Sequence, residues 1–167
     1  KPMIEHLLDE VDRIGAERTV VVVGEAREQV EEHLGSRVSY AFQDRQLGTG
    51  HAVMQAKGAL EGFEGDVLIM YGDVPFVRAD TMMSMLKRLH AEDAPAAVVL
   101  GFKPWDPLQY GRVIAEDGRI LKMVEYKDAT EEERQCPLCN SGLMAVRSDI
   151  LFNLLGEVKN DNAQGEF

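Results

Sequence analysis

Apolar side chains at Met3, Ile4, Leu7, Leu8, Val11 and Ile14 recur at helical spacing and predict a helix over residues 2–16. Pro2 suits its first turn, where a missing N–H costs nothing. RTVVVVG (18–24) is a continuous β-branched run ending in glycine, the pattern of a strand buried on both faces. Residues 26–35 predict a short helix closed by Gly35, and VSYAF (38–42) a second strand. A helix is expected from about His51 to residue 60. GDVLIMYGDVP (65–75) reads as an apolar strand broken at Gly72-Asp73 and stopped by Pro75. Met82, Met85, Leu86 and Leu89 then mark an amphipathic helix over 79–91, and AAVVLGF (96–102) a further strand.

After Trp105 the texture changes. GRVIAEDGRILKMVEYKDA (111–129) alternates apolar residues around Asp117-Gly118, a hairpin signal, and a polar helix is expected near 129–135. SGLMAVRS (141–148) predicts one more strand, and Ile150, Leu151, Leu154 and Leu155 a last helix. NDNAQGEF (160–167) reads as a polar loop. Buried strands alternating with helices predict an α/β fold, with a mostly parallel central sheet, right-handed crossovers and an inserted β-hairpin. No linker divides the chain, so one domain is expected.

In an open parallel sheet, ligands bind beyond the carboxyl ends of the strands. Three stretches are expected on that edge: QDRQLGTGHAV (43–53), YGDVP (71–75) and a CNSG turn (139–142). Glycines on both sides of Thr49 strip side chains from the backbone and let a flat or anionic group approach. Asp73 ends an apolar strand behind a glycine, where a carboxylate can hold a hard divalent cation that keeps waters for phosphates to replace; a turn cap is the plainer alternative. Gln43 offers one acceptor and two donors to the edge of a base. Gly111, Glu125 and Asn140 are a weaker grouping, suited to the hydroxyls and amide of a sugar.

Bulk properties mainly exclude. A hydrophobic fraction of 45% and a charged fraction of 28% are ordinary for a globular protein. The formal net charge of −11 opposes binding to nucleic acid or to anionic lipid. No apolar run approaches the roughly 18–20 residues of a membrane span, and a cytoplasmic protein is expected. The two cysteines, Cys136 and Cys139, sit in CPLC, half of a zinc site with no second half, and free thiols are the expectation. His51 and His90 read as a polar group at a helix start and a surface residue.

QDRQLGTGHA, YGDVP, QYGRV, VEYKDAT, CNSGLMA and NDNAQGEF follow one another in an order and spacing that resemble one family. It is the uridylyltransferase domain of the bacterial bifunctional N-acetylglucosamine-1-phosphate uridyltransferase/glucosamine-1-phosphate acetyltransferases. The resemblance covers essentially the whole chain. It implies a nucleotide-diphospho-sugar transferase fold and transfer of UMP from UTP to N-acetylglucosamine 1-phosphate, feeding cell-wall and lipopolysaccharide precursors. It places Gln43, Gly48 and Thr49 on the uracil, Tyr71 and Gly72 beside the nucleotide, and Asp73 on a catalytic Mg²⁺. Gly111, Glu125 and Asn140 fall on the N-acetylglucosamine side.

The family's glycine-rich phosphate loop, its second metal ligand (an asparagine) and its acetyltransferase β-helix, through which a parent homotrimer is implied, do not occur in residues 1–167. The chain therefore reads as a piece of a longer protein. Another sugar-1-phosphate nucleotidyltransferase and an inactive fragment stand as alternatives. A dinucleotide-binding dehydrogenase is disfavoured, because GTGHAV lacks the third glycine of G-x-G-x-x-G.

Overall fold

A computed structural model describes residues 1–25 and 27–158. The expected polar loop at 160–167 and the start of the second helix at residue 26 lie outside the described residues. The elements follow in the order α1 (Met3–Ile14), β1 (Val20–Val23), α2 (Arg27–Leu34), β2 (Ser39–Phe42), α3 (Thr49–Gln55), β3 (Asp66–Ile69), α4 (Ala79–Leu89), β4 (Ala97–Phe102), β5 (Arg112–Glu116), β6 (Arg119–Val124), α5 (Glu131–Arg134), β7 (Cys139–Arg147) and α6 (Ser148–Glu157). Each expected element is present. α3 is shorter than expected: it starts at Thr49, ends at Gln55 and is followed by a separate 3-10 turn at Gly58–Leu60.

The pairing of the strands differs from a mostly parallel sheet. β1 and β2 pair in parallel, with Val20 opposite Ser39 and Val23 opposite Phe42. β7 lies between β3 and β4 and runs antiparallel to both, with Met144 opposite Ile69 on one side and Val99 on the other. β3 and β4 therefore point the same way, as a strand–helix–strand unit requires, yet β7, the last strand among the described residues, separates them. The architecture is α/β with a mixed sheet. Single-strand periodicity carries orientation poorly, because a strand buried on both faces looks alike in either direction.

β7 is the organising strand. It also meets β5 at Cys139–Arg112, which attaches the β5–β6 hairpin to the sheet. That hairpin turns through Asp117 (φ 49°) and Gly118 (φ 76°), two left-handed residues in succession, as the Asp-Gly pair predicts. The core collects where α4 crosses β7: Met85, Leu89, Leu143 and Ala145 are buried together, with Leu68, Met70, Tyr71 and Val98 packed around them.

β1 and β3 do not pair with each other. Between them lies a cavity of about 820 Å³, lined by Val20–Val22 from β1, Asp66–Ile69 from β3 and the apolar face of α1. No helix among the described residues is long and apolar enough to cross a membrane.

Candidate functional site

The three expected stretches do reach one rim, and the antiparallel insertion of β7 is the reason. Because β7 runs against β3 and β4, its first residues stand beside the last residues of those two strands: Asn140 lies opposite Gly101 and Cys139 opposite Phe102 near the end of β4. CNSG is thus the beginning of a strand and not a turn, a correction that leaves its place on the rim intact.

Gln43, Gly48, Thr49, Tyr71 and Gly72 all line the cavity between β1 and β3. Gln43 follows β2 directly, its backbone amide bonded to the Val23 carbonyl at 2.8 Å. Gly48 precedes α3 at φ 105°, a conformation that favours glycine, and Thr49 opens the helix. The Gln43 amide nitrogen lies 3.2 Å from the Gly48 carbonyl and 3.0 Å from His51 Nδ1. Across the rim, the Tyr71 hydroxyl donates to Thr49 Oγ1 at 3.3 Å. The turn after β3 thereby touches the loop after β2.

Gly111, Glu125 and Asn140 form a second group. The Asn140 backbone amide donates to the Gly111 carbonyl at 2.9 Å. A Cβ on Gly111 would sit 3.1 Å from Glu125 Oε1, so the glycine makes room for that carboxylate. The Asn140 side-chain oxygen accepts from the Gly142 amide at 2.9 Å, which leaves its NH₂ donors for a ligand.

Two residues that sequence reasoning did not single out hold these groups in place. Gly142 (φ 79°) lies under the Tyr71 ring, so closely that a Cβ there would be 2.1 Å from a ring carbon. It links the Asn140 group to the Tyr71–Thr49 group. Its signal was its position two residues after Asn140, within a motif already noted. Arg112 is buried, and its guanidinium donates to the carbonyls of Leu108 at 3.1 Å and Arg134 at 3.3 Å and to that of Tyr110. It also lies 5.6 Å from the centre of the Tyr126 ring. A charge so buried is tolerable because carbonyl oxygens surround it, and it fixes the loop that delivers Gly111. Only the tertiary fold reveals that role.

Asp73 is exposed, one residue beyond Gly72. No group of three or more His, Cys, Asp or Glu among the described residues could enclose a metal. A lone exposed carboxylate still fits Mg²⁺, which takes one or two carboxylates and completes its shell with water and phosphate. Cys136 and Cys139 are free.

Residues 1–133 match the MobA-like NTP transferase domain family. The chain is 65% identical over 167 residues to the bifunctional protein GlmU of Novosphingobium aromaticivorans and 59% identical over 167 residues to that of Sphingopyxis alaskensis. Both alignments take in 100% of the chain and 37% of the relative, so the chain spans little over a third of the length of the curated relatives it matches. Among solved structures, apo UDP-glucose pyrophosphorylase superposes with a TM-score of 0.73 at 21% identity, over 99% of this chain and 71% of that one. That likeness shows the fold, the one shared by nucleotide-sugar transferases. By the match over residues 1–133, the chain belongs to the MobA-like NTP transferase family.

Proposed function

We propose that these residues form the uridylyltransferase centre of a cytoplasmic UDP-N-acetylglucosamine diphosphorylase. One observation carries the reading: five residues expected at a nucleotide converge on one cavity, and three expected at a sugar form an adjoining group joined to them through Gly142 and Tyr71. The 65% identity to a bifunctional protein GlmU over the whole chain supports the family resemblance from which the substrates, UTP and N-acetylglucosamine 1-phosphate, are inferred.

In this reading Gln43 and the backbone at Gly48 and Thr49 hold the uracil, with Tyr71 and Gly72 beside the nucleotide. Glu125 accepts from a sugar hydroxyl, and the Asn140 NH₂ donates to the sugar. A sugar 1-phosphate oxygen then attacks the α-phosphorus of UTP in line, a new P–O bond forms, and pyrophosphate leaves. The chain's contribution is positioning, since phosphoryl and nucleotidyl transfers need little covalent help. Asp73 would hold Mg²⁺, which when bound supplies charge stabilisation to the phosphates. Acetyl transfer and trimer formation would belong to other parts of the parent protein.

The test is pyrophosphate release by the full-length protein supplied with UTP and either N-acetylglucosamine 1-phosphate or glucose 1-phosphate. A clear preference for the N-acetylated sugar is expected. Equal use of both would favour a broader sugar-1-phosphate nucleotidyltransferase. In the same assay Asp73→Asn is expected to lower turnover by at least about 100-fold, the scale on which removal of a charge-stabilising group acts, with an unchanged melting temperature. An unchanged rate at saturating Mg²⁺ would remove Asp73 from the metal.

A further inference from the structure

His51 stands in the first turn of α3, half-buried, with both ring nitrogens engaged. Gln43 Nε2 lies 3.2 Å from the Gly48 carbonyl oxygen and 3.0 Å from His51 Nδ1. A carbonyl oxygen only accepts, so the atom facing Gly48 must be the amide NH₂ and not its oxygen. The second hydrogen of that NH₂ faces His51 Nδ1. Neutral imidazole accepts it in the tautomer that carries its proton on Nε2.

Gln55 competes from the other side. Its Nε2 lies 3.2 Å from His51 Nε2 and 3.1 Å from the His51 carbonyl. A neutral imidazole accepts at one nitrogen alone. Gln43 has the shorter approach, and its backbone is pinned to Val23. By the same rule the Gln55 NH₂ must face the His51 carbonyl. The contact that yields is therefore the longer one, Gln55 Nε2 to His51 Nε2, which a small rotation of the Gln55 side chain opens while its bond to the carbonyl is kept.

We propose that His51 is a positioning residue for base selection. By taking the second Nε2 hydrogen of Gln43, it leaves Oε1 as the polar atom of that side chain available to a ligand. Oε1 can only accept. It matches a base with a ring N–H, such as N3–H of uracil, and opposes the bare N3 of cytosine. With His51 gone, the Gly48 carbonyl alone restrains the amide, and donor and acceptor ends become easier to exchange. The inference rests on the uridylyltransferase reading and assigns the residue that sets its base preference.

The test compares UTP with CTP in pyrophosphate release by the full-length protein carrying His51→Phe, His51→Asn or His51→Gln. Asparagine places a polar atom near the Nδ1 position, whereas glutamine reaches the Nε2 position. In H51F and H51Q the UTP-over-CTP preference is expected to fall about tenfold, within the range that one amide-to-base contact commands. The loss should fall on KM for UTP more than on kcat. H51N is expected to retain the preference. Where H51F does not fold, the comparison of H51N with H51Q decides. Retained preference in H51Q, or equal loss in H51N and H51Q, overturns the role of His51 while wild-type use of UTP leaves the enzymatic reading standing. A wild-type protein that does not use UTP overturns both.

Discussion

Gly142 shows how much of this site depends on atoms that are missing. Its φ of 79° lies in the left-handed region, and the Tyr71 ring occupies the space where a Cβ would be. The hydroxyl of that ring bonds Thr49, so the glycine governs a contact across the rim although it carries no functional group. Gly142→Ala is expected to destabilise the fold by roughly 1–3 kcal/mol, the cost of holding a non-glycine residue in a sparsely populated backbone region. It should also raise the KM for UTP by displacing Tyr71. Tyr71→Phe, which keeps the ring and loses the bond to Thr49, should melt close to the wild type. Thermal unfolding of the two variants side by side checks the argument; a G142A protein as stable as wild type would mean that the Tyr71 ring yields without cost. The residue was visible in CNSG, but its conformation and the ring above it are properties of two strands distant in sequence.

At the scale of elements, local pattern carried nearly everything except order. The apolar period of α1, the β-branched run of β1 and the Asp-Gly turn of the β5–β6 hairpin each report a local preference, and local preferences survive in one dimension. The insertion of β7 between β3 and β4 does not, because it depends on which edges meet after the chain has turned back. The same insertion brought Asn140 to the rim, so the site could be expected from motifs while its route there could not. α5, expected only as a polar helix near 129–135, is closed at its start by a reciprocal capping box. Thr130 Oγ1 accepts from the Glu133 amide at 3.2 Å, and Glu133 Oε2 accepts from the Thr130 amide at 2.8 Å. Glu133 also bonds Lys122 on β6 at 2.5 Å, tying this helix to the hairpin. Thr130→Ala is expected to cost about 1 kcal/mol, as loss of an N-cap does. The Lys122 ammonium, and after it the Thr130 amide, hold the Glu133 carboxyl below its ordinary value of 4.5. A lowered carboxyl favours the folded state above the unfolded value and loses that contribution as pH falls through the folded one. The protection of the Thr130 and Glu133 amides, each taken relative to its intrinsic exchange rate at the same pH, should therefore fall on acidification below about pH 4.5, and in Glu133→Gln that protection should not change with pH in this range.

For the whole molecule, the separation of β1 from β3 matters most. Among the described residues each of these strands pairs on one side only, and both turn toward a cavity of about 820 Å³ lined by apolar side chains of α1 and α3 as well. Protein interiors seldom leave voids much larger than a water molecule, so the described residues do not close their own core at this place. The residues expected at the nucleotide stand around the same cavity, and its packing thus bears directly on their geometry. The charge balance adds a second difficulty. A net charge of −11 repels a triphosphate, and Asp73 contributes to that field unless a cation covers it. The curated relatives are much longer, with the chain matching 37% of their length. From packing and charge together, the 167-residue chain by itself is expected to release no measurable pyrophosphate from UTP and N-acetylglucosamine 1-phosphate, whereas the full-length protein does so. Hydrogen exchange provides an independent reading of the same cause. In the isolated chain the amides of β1 and β3 should exchange faster than those of β7, which is paired along both sides, and in the full-length protein that difference should narrow. Equal catalytic rates for chain and full-length protein, with equal exchange in all three strands, would show that the cavity and the charge impose no barrier to the reaction.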